Sequence, residues 1–480
     1  MPPPAPDRQD ILSGISGLTA DSRAVKPGWL FAALPGATTD GRTFIGQALD
    51  KGAAAILTGE LPAAEASAVR ARAKLMLSAN PRRDLAELAA AFHGRQPRNI
   101  ALVTGTNGKT SVVEFARQLW AALGFESASI GTLGLTRNSG RSKGALTTPD
   151  PVGLAKMLAD LASQGVEHAA LEASSHGLDQ ERLSGVAASA GVFTSFSRDH
   201  LDYHRTPAAY LDAKLRLFRE RLSPGQTAIV CADMPVSAQV VAAARQCGLD
   251  LWTYGQNGKR LRLLAQQPVP GGQKLALRVD GEAFDVILPL VGGFQALNAL
   301  AALGIVLAFG GDKATAVAAL ERLQGVDGRL QLAGTTAAGA AVFVDYAHTP
   351  AALETALEAL RPAAKGRLLV VFGAGGDRDR GKRPEMGAVA ARLADLAVVT
   401  DDNPRSEDPA AIRRAILAAC PDAREIGDRA AAIEWAVAEL RAGDVLLIAG
   451  KGHETGQSIG GAVLPFDDVA EARRALEGRA

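Results

Sequence analysis

The chain has 480 residues, 47% of them hydrophobic, enough for about three domains that each bury a core. Its formal charge of +1 provides no basic field for neutralising a nucleic-acid backbone, so any anionic ligand must be held by local groups. Three scattered cysteines exclude a disulfide framework or a zinc cluster, and no run approaches the roughly 20 apolar residues of a membrane span.

MPPPAPDRQD has no apolar signal-peptide core, so the expectation is a soluble cytoplasmic protein without nucleic-acid or membrane partners. Further on, short aliphatic runs alternate with Ala-rich amphipathic stretches. NIALVTG precedes KTSVVEFARQLWAALG, PVGLAKMLADLASQG precedes HAALEAS, and RLLVVFGAGG precedes RPEMGAVAARLA. Such alternation predicts an α/β fold with largely parallel sheets. FHGRQPRN separates an Ala-rich helix from the strand at Ile100, and near LQGVDGRLQLAG a helical pattern ends in glycine-bearing turns before AAVFVDYA. These breaks divide the chain into 1–95, 96–326 and 327–480.

The strongest local signal is ALVTGTNGKTSVVEF, in which an apolar strand ends at Val103 and an amphipathic helix begins near Lys109. A loop in this position aims backbone N–H groups and a helix N-terminus at phosphate oxygens. The motif is Gly105-x-x-Gly108-Lys109-Thr110, shorter than G-x-x-x-x-G-K-[ST], whose first glycine would fall on Val103. Gly105, Thr106, Asn107, Gly108, Lys109, Thr110 and Ser111 are therefore candidate nucleotide contacts. Lys109 would reach the outer phosphates and Thr110 would bind Mg²⁺.

HAALEASSHGL ends a strand at Glu172, on the same carboxyl-end rim as the phosphate loop. The plainer reading of Glu172 is a carboxylate capping the next helix. VFTSFSRDHLDYH then ends another strand in Asp199, His200, Asp202 and His204. His200 and His204 are four apart, so a helix would put them on one face. Zinc is open to such a pair, but phosphate chemistry suits hard Mg²⁺ held by oxygens and an occasional imidazole. Lys214, taken from pattern alone, is an ordinary exposed helix lysine. Late in the chain LADLAVVT gives way to DDNPRSEDP, where Arg405 stands amid Asp401, Asp402, Glu407 and Asp408. That is either a self-paired solvated turn or a grip on a small charged molecule.

TGTNGKT, LEASSHGL, SRDHLDYH followed by AK, and GKGHE, in this order, resemble the Mur ligase family of ATP-dependent amide-bond-forming enzymes. The likeness runs from DSR at Asp21 to GKGHE at Glu454. It implies an N-terminal α/β domain for the UDP end, a central P-loop ATPase-type α/β domain, and a C-terminal Rossmann-like α/β domain for the incoming amino acid. By the same resemblance, Ser22, Thr38 and Thr39 contact the UDP end. Thr147, Thr148, Ser174, Gln180 and Arg182 hold the muramoyl-dipeptide, with Leu146 where the family often has Asn. Asn298 fits an adenine-binding asparagine, Arg329 and Asp345 fit further nucleotide contacts, and Gln295 stands where Asn is commoner. The family turns the lysine matching Lys214 into a carbamate with CO₂, which reverses its reading as an exposed lysine. So modified, it would join Thr110, Glu172 and His200 around Mg²⁺. Lys109, Glu172, His200 and Lys214 form the implied catalytic set.

DNPR matches the family's amino-acid-selecting motif, giving Asp402, Asn403, Pro404 and Arg405, completed by Arg378, Gly450 and Glu454. Members with Arg here typically add meso-diaminopimelate, which is lysine with an extra carboxylate that a guanidinium fork can bind bidentately. The implied reaction uses ATP to convert the D-glutamate side-chain carboxylate of UDP-N-acetylmuramoyl-L-alanyl-D-glutamate into an acyl phosphate. The amine of meso-diaminopimelate then attacks, with His204, His348 and Asp345 as candidate bases. Rival readings are the same ligation with L-lysine or another diamino acid, a folylpolyglutamate-type or D-alanyl-D-alanine-adding ligase, and a nucleotide-driven switch. The chain is expected to act as a monomer.

Overall fold

The computed structural model describes residues 8–36, 39–142, 146–269 and 271–478, so Thr38, one of the expected UDP contacts, lies outside the described residues. WLFAA and AILT are continuous apolar runs, the pattern of strands covered on both faces. They form the centre of a four-stranded parallel sheet ordered Gly17–Thr19, Trp29–Ala33, Ala55–Thr58, Lys74–Leu77. Alternate residues feed two small cores, with Leu30, Ala32 and Leu57 on one face and Phe31, Ala33 and Ile56 on the other.

Helix Pro81–His93 follows, started by Asn80, whose side chain accepts from the Arg83 amide, and by Pro81 in the first turn. It packs against helix Pro151–Ser163 of the next layer. The joint is built on Glu181, a buried carboxylate in left-handed backbone (φ +59°). Glu181 accepts from Asn80 Nδ2 at 3.1 Å and from Ser184, and pairs with Arg83, Arg216 and Arg221. Burial alone would raise its pKa, but the bonds from Ser184 and Asn80 and the Arg216 charge hold it down at about 2.

The central sheet has eleven strands. Its middle is parallel, in the order Asp250–Gly255, Thr227–Cys231, Ala190–Phe193, Asn99–Thr104, His168–Glu172, Ser127–Gly131. Antiparallel pairs extend it at both margins, among Leu261–Val269, Gly272–Val279 and Glu282–Leu288 on one side and through Gly134–Arg137 and Gly140–Ser142 on the other. Register places Val103 opposite Glu172 and Thr104 opposite Phe193, so three neighbouring strands end at one level. The chain leaves Asn99–Thr104 toward one side of the sheet and later fills the other, which makes this rim the switch point where open α/β sheets hold ligands.

The third sheet is ordered Gln331–Thr335, Ala341–Asp345, Val445–Ala449, Leu368–Phe372, Leu396–Val399, Arg424–Glu425, antiparallel only in its first pair. Its two faces carry separate cores, one around Phe343, Leu357 and Met386 and one around Val342, Ile433 and Ile448. A hairpin of Gly456–Ile459 and Ala462–Pro465 stands outside it. The fold is thus α/β with largely parallel sheets, as the strand–helix alternation predicts. No helix among the described residues is long and apolar enough to cross a membrane.

Candidate active site

The phosphate loop leaves the buried strand Asn99–Thr104 and enters helix Lys109–Ala122 through Gly108. Gly108 has φ +88°, and a Cβ there would sit 2.6 Å from Asn298 Oδ1, so only glycine fits. That approach brings helix Gly293–Ala308 against the loop, and Gln295 Oε1 fixes Asn298 by accepting from its Nδ2 at 2.9 Å. The loop is held from behind by the segment after strand Ala190–Phe193. Ser195 accepts the Thr106 and Asn107 amides through its carbonyl and hydroxyl, and the Ser197 amide donates to Thr106 Oγ1. The amides of the first helical turn, Lys109 to Ser111, have no partner within the helix and are left for a ligand.

Two lysines crowd this loop. Lys109 Nζ donates to the carbonyls of Gly105 and Thr106 at 2.9 and 2.8 Å, and Lys214 Nζ donates to the same Gly105 carbonyl at 2.8 Å. Lys214 is 1% exposed, with its ammonium 4.4 Å from the Tyr210 ring centre. Burial, aided by the Lys109 charge, pushes its pKa well below the ordinary lysine value. Burial also lowers Lys109, against the opposing pull of Glu172 and Asp199.

Glu172 ends its strand fully buried and accepts from the Thr132 amide at 2.8 Å and the Thr132 hydroxyl at 3.1 Å. The Thr132 hydroxyl also lies 3.1 Å from that of Thr147. Thr148 Oγ1 donates to the Glu172 carbonyl at 2.8 Å and lies 3.0 Å from Ser174 Oγ. Arg182 donates to the Thr148 carbonyl at 2.8 Å and to Gln180 Oε1 at 2.7 Å, so all five expected dipeptide contacts form one connected group beside Glu172. Ser22 is buried in the N-terminal sheet layer and its carbonyl accepts from Lys51, while Thr39 is exposed; neither lines the cavity.

His200 takes a left-handed backbone (φ +53°) just ahead of the short helix Leu201–His204. The helical face expected to carry His200 and His204 together therefore does not form. Both rings instead flank His176, with centroids 4.9 and 5.5 Å away, and His204 is buried away from the cavity. Burial pulls His200 down to about 4 despite the adjoining Asp199. For Asp199 burial would raise the pKa, but His200, His348 and Lys382 outweigh it and hold the carboxyl below its usual range. Among the described residues no three His, Cys, Asp or Glu side chains converge as a metal cluster. Of that kind the expected Mg²⁺ set has only Glu172 and His200, with Thr110 and Lys214 beside them.

A cavity of about 380 Å³ joins these groups to the third sheet's layer. Its polar lining includes Lys109, Thr110, Glu172, His200 and Lys214, and its apolar lining Phe294, Leu297, Ala351, Ala352 and Ala356. Arg329 bridges the junction, donating to Thr110 Oγ1 at 3.0 Å with its guanidinium 4.7 Å from the Tyr346 ring centre. Asp345, at the end of its strand, accepts from the Leu330 amide at 2.7 Å, and burial raises its pKa to about 6 against the pull of Arg329. Asp345 and His348 line the cavity, unlike His204.

The DNPR loop lies on the carboxyl end of strand Leu396–Val399. Three of its acids are spoken for: Asp401 pairs with Arg413, Glu407 with Arg383 and Arg380, and Asp408 caps helix Pro409–Leu417. Arg405 forms no ion pair among the described residues. Its φ of +54° costs about 1–2 kcal/mol for a side-chain-bearing residue, and one Nη donates to the Gly376 carbonyl at 2.6 Å. Asn403 Nδ2 donates to Glu454 Oε2 at 2.8 Å, and its Oδ1 accepts from the fully buried Lys451 at 3.0 Å. Asp402 is buried, and its Oδ2 lies 2.5 Å from where a Cβ on Gly450 would sit. Pro404 is buried, and its carbonyl accepts from the Glu407 amide at 3.1 Å. Arg378 is exposed and donates to the Asp377 carbonyl; no contact joins it to Arg405 or Glu454 among the described residues.

Three family models cover most of the chain: the Mur ligase family catalytic domain over 14–93, the Mur ligase middle domain over 103–306, and the Mur ligase glutamate ligase domain over 328–452. The chain belongs to the Mur ligase family. Its similar Mur ligases include the UDP-N-acetylmuramoyl-L-alanyl-D-glutamate--2,6-diaminopimelate ligases of Caulobacter vibrioides, 53% identical over 97% of this chain and 96% of that one, and of Rhizobium meliloti, 51% identical over 97% and 94%. A solved ligase of the same name is 35% identical with a TM-score of 0.70, covering 97% of this chain and 95% of its own. A MurF ligase from Thermotoga maritima, solved with ADP, shares the fold at 19% identity and a TM-score of 0.66, over 98% of this chain and all of its own.

Sequence reasoning missed several parts of this Mur ligase site. Ser195 and Ser197 buttress the phosphate loop, Phe294 with Ala351 and Ala352 belongs to the apolar lining, and Lys451 ties Asn403 to Glu454. The strand-end serines in VFTSFS were the one available signal, since polar residues following a buried strand at this rim face ligands.

Proposed function

We propose that this chain is an ATP-dependent ligase that adds meso-diaminopimelate to UDP-N-acetylmuramoyl-L-alanyl-D-glutamate, in the cytoplasmic synthesis of peptidoglycan precursors. The observation that carries the reading is a phosphate loop that lines one cavity together with Thr147 and Ser174 of the dipeptide-sized polar group. It lies in a chain about half identical, nearly end to end, to ligases of that name.

In this reading the apolar lining of the cavity takes the adenine between Phe294, Leu297 and Ala351, with Asn298 and Asp345 as polar contacts. Lys109 and the first-turn amides hold the outer phosphates, and Arg329 adds charge where Thr110 begins the helix. Thr147, Thr148, Ser174, Gln180 and Arg182 hold the acceptor dipeptide, while Ser22, Thr38 and Thr39 take its UDP end. The glutamate side-chain carboxylate attacks the γ-phosphate and ADP leaves. The diaminopimelate amine attacks the resulting acyl phosphate and phosphate leaves. Two anions meet in the first step, so concentrated positive charge is the main requirement, each such element being worth about 2.7–4 kcal/mol.

Thr110, Glu172, His200 and Lys214 would hold Mg²⁺, whose charge neutralises the phosphate oxygens when bound; the oxygen-rich donors suit a hard cation. Lys214 fits that set as a carbamate. Burial favours its neutral amine, the form that adds to CO₂ with loss of a proton, and the product is an anion carrying two oxygens. Of the candidate bases, Asp345 and His348 line the cavity, which favours them over His204 as acceptors of the amine proton.

The test is ADP release with the UDP-muramoyl-dipeptide and a panel of amino acids. Turnover is expected only when acceptor and diamino acid are both present, with meso-diaminopimelate far ahead of L-lysine. ADP release without the acceptor, or driven by D-alanyl-D-alanine or glutamate, would sink the reading.

A further inference from the structure

The left-handed backbone of Arg405 has to be imposed from outside, because nothing in its own side chain favours it. The source is the hairpin of Gly456–Ile459 and Ala462–Pro465, whose first strand runs alongside the DNPR loop. Gln457 Nε2 donates to the Asp402 carbonyl at 2.8 Å, and the Ser458 amide donates to Asn403 Oδ1 at 2.9 Å. The Arg405 amide then donates to the Ser458 carbonyl at 2.9 Å, and the Gly460 amide donates to the Arg405 carbonyl at 2.7 Å. Both backbone groups of Arg405 are thus clamped by the hairpin, while its guanidinium is braced from the opposite side by the Gly376 carbonyl at 2.6 Å.

The clamp depends on a tight turn. Ile459 pairs with Ala462, and the two residues between them, Gly460 and Gly461, have φ of +55° and +85°. Two positive φ values in succession define the hairpin turn that matches strand twist, and they suit Gly or Asn. In this turn the Gly460 N–H reaches the Arg405 carbonyl.

We propose that the Gly456–Pro465 hairpin is a positioning element for amino-acid selection, fixing through Ser458 and Gly460 the backbone of Arg405 and so the direction of its guanidinium. The inference rests on the ligase reading above. Selectivity for the carboxylate-bearing diamino acid then depends on a segment some fifty residues downstream of the motif itself, in which no side chain is asked to touch the substrate.

Gly460→Pro removes the donor and cannot adopt the turn, whereas Gly460→Asn keeps the N–H and tolerates its φ. With the full-length enzyme, Gly460→Pro is expected to raise KM for meso-diaminopimelate about 10- to 100-fold, the range for a misplaced positioning group. Its preference for meso-diaminopimelate over L-lysine should fall in step, KM for ATP should stay within about twofold, and Gly460→Asn should match the parent. Gln457→Leu, which removes only a side-chain donor, should move the same two quantities less and decides the matter if Gly460→Pro does not fold. An unchanged KM and preference in a folded Gly460→Pro, or in Gln457→Leu where that variant decides, would overturn the proposal. So would an equal loss in Gly460→Asn. A parent enzyme that does not turn over meso-diaminopimelate defeats the ligase reading instead, which separates the two failures.

Discussion

The phosphate cavity and the DNPR loop handle charge in opposite ways. Around the phosphate loop, Lys109 and Lys214 share one carbonyl, Arg329 reaches Thr110, and burial favours the neutral amine of Lys214, so basic groups are packed closer than all of them can stay charged. Around DNPR, every acid but Asp402 is matched to an arginine or a helix start, while Arg405 forms no ion pair among the described residues. On the ligase reading proposed above, a site for a polyanion concentrates charge, whereas a site that tells one amino acid from another isolates a single charge and controls its direction. That contrast explains why Lys214 is depressed by burial and its neighbour, whereas Arg405 is held through its backbone.

The comparison can be broken most decisively at Lys214. Lys214→Ala is expected to lower kcat about 10²- to 10³-fold, with part of the loss restored by short-chain carboxylates such as formate or acetate. Full activity in that variant, measured by ADP release, would remove the carbamate. Next in size, Arg405→Ala removes a charge-assisted contact worth about 1.5–3 kcal/mol, so KM for meso-diaminopimelate should rise roughly 10- to 100-fold while KM for ATP holds. A parallel rise in both would show that the two regions are not separable.

The smallest effect is on stability. Asp345 is raised from 3.8 to about 6 by burial, so its contribution to stability is fully present below about 3.8 and is lost as pH rises through about 6. Asp345→Asn should therefore unfold a few degrees higher than the parent at pH 7.5, with the gain vanishing near pH 4. Thermal unfolding without nucleotide checks the sign, and a lower Tm at pH 7.5 would refute it.

The difference between the regions also governs what could be read from the sequence. The phosphate loop was legible because its parts are contiguous and its strand and helix announce themselves through periodicity. Lys214 was not: its helix Pro207–Glu220 also carries half-buried Arg216 and exposed Arg219, and nothing local marks one basic residue as buried. The residues supporting Arg405 act through backbone atoms from a segment distant in sequence, which leave no residue signature. His200 and His204 misled for a related reason, since their spacing describes a helix that His200 does not enter.

The Glu181 joint has a mechanical consequence. It ties Asn80 and Arg83 of the first layer to the turn carrying Gln180 and Arg182, with its carboxylate sealed from water. Two of the contacts toward the third layer, Arg198 with Glu385 and Arg141 with Asp327, are by contrast exposed pairs of the kind worth little individually. The Glu181 joint thus acts as a ruler, fixing the span between the N-terminal sheet layer and the turn of Gln180 and Arg182.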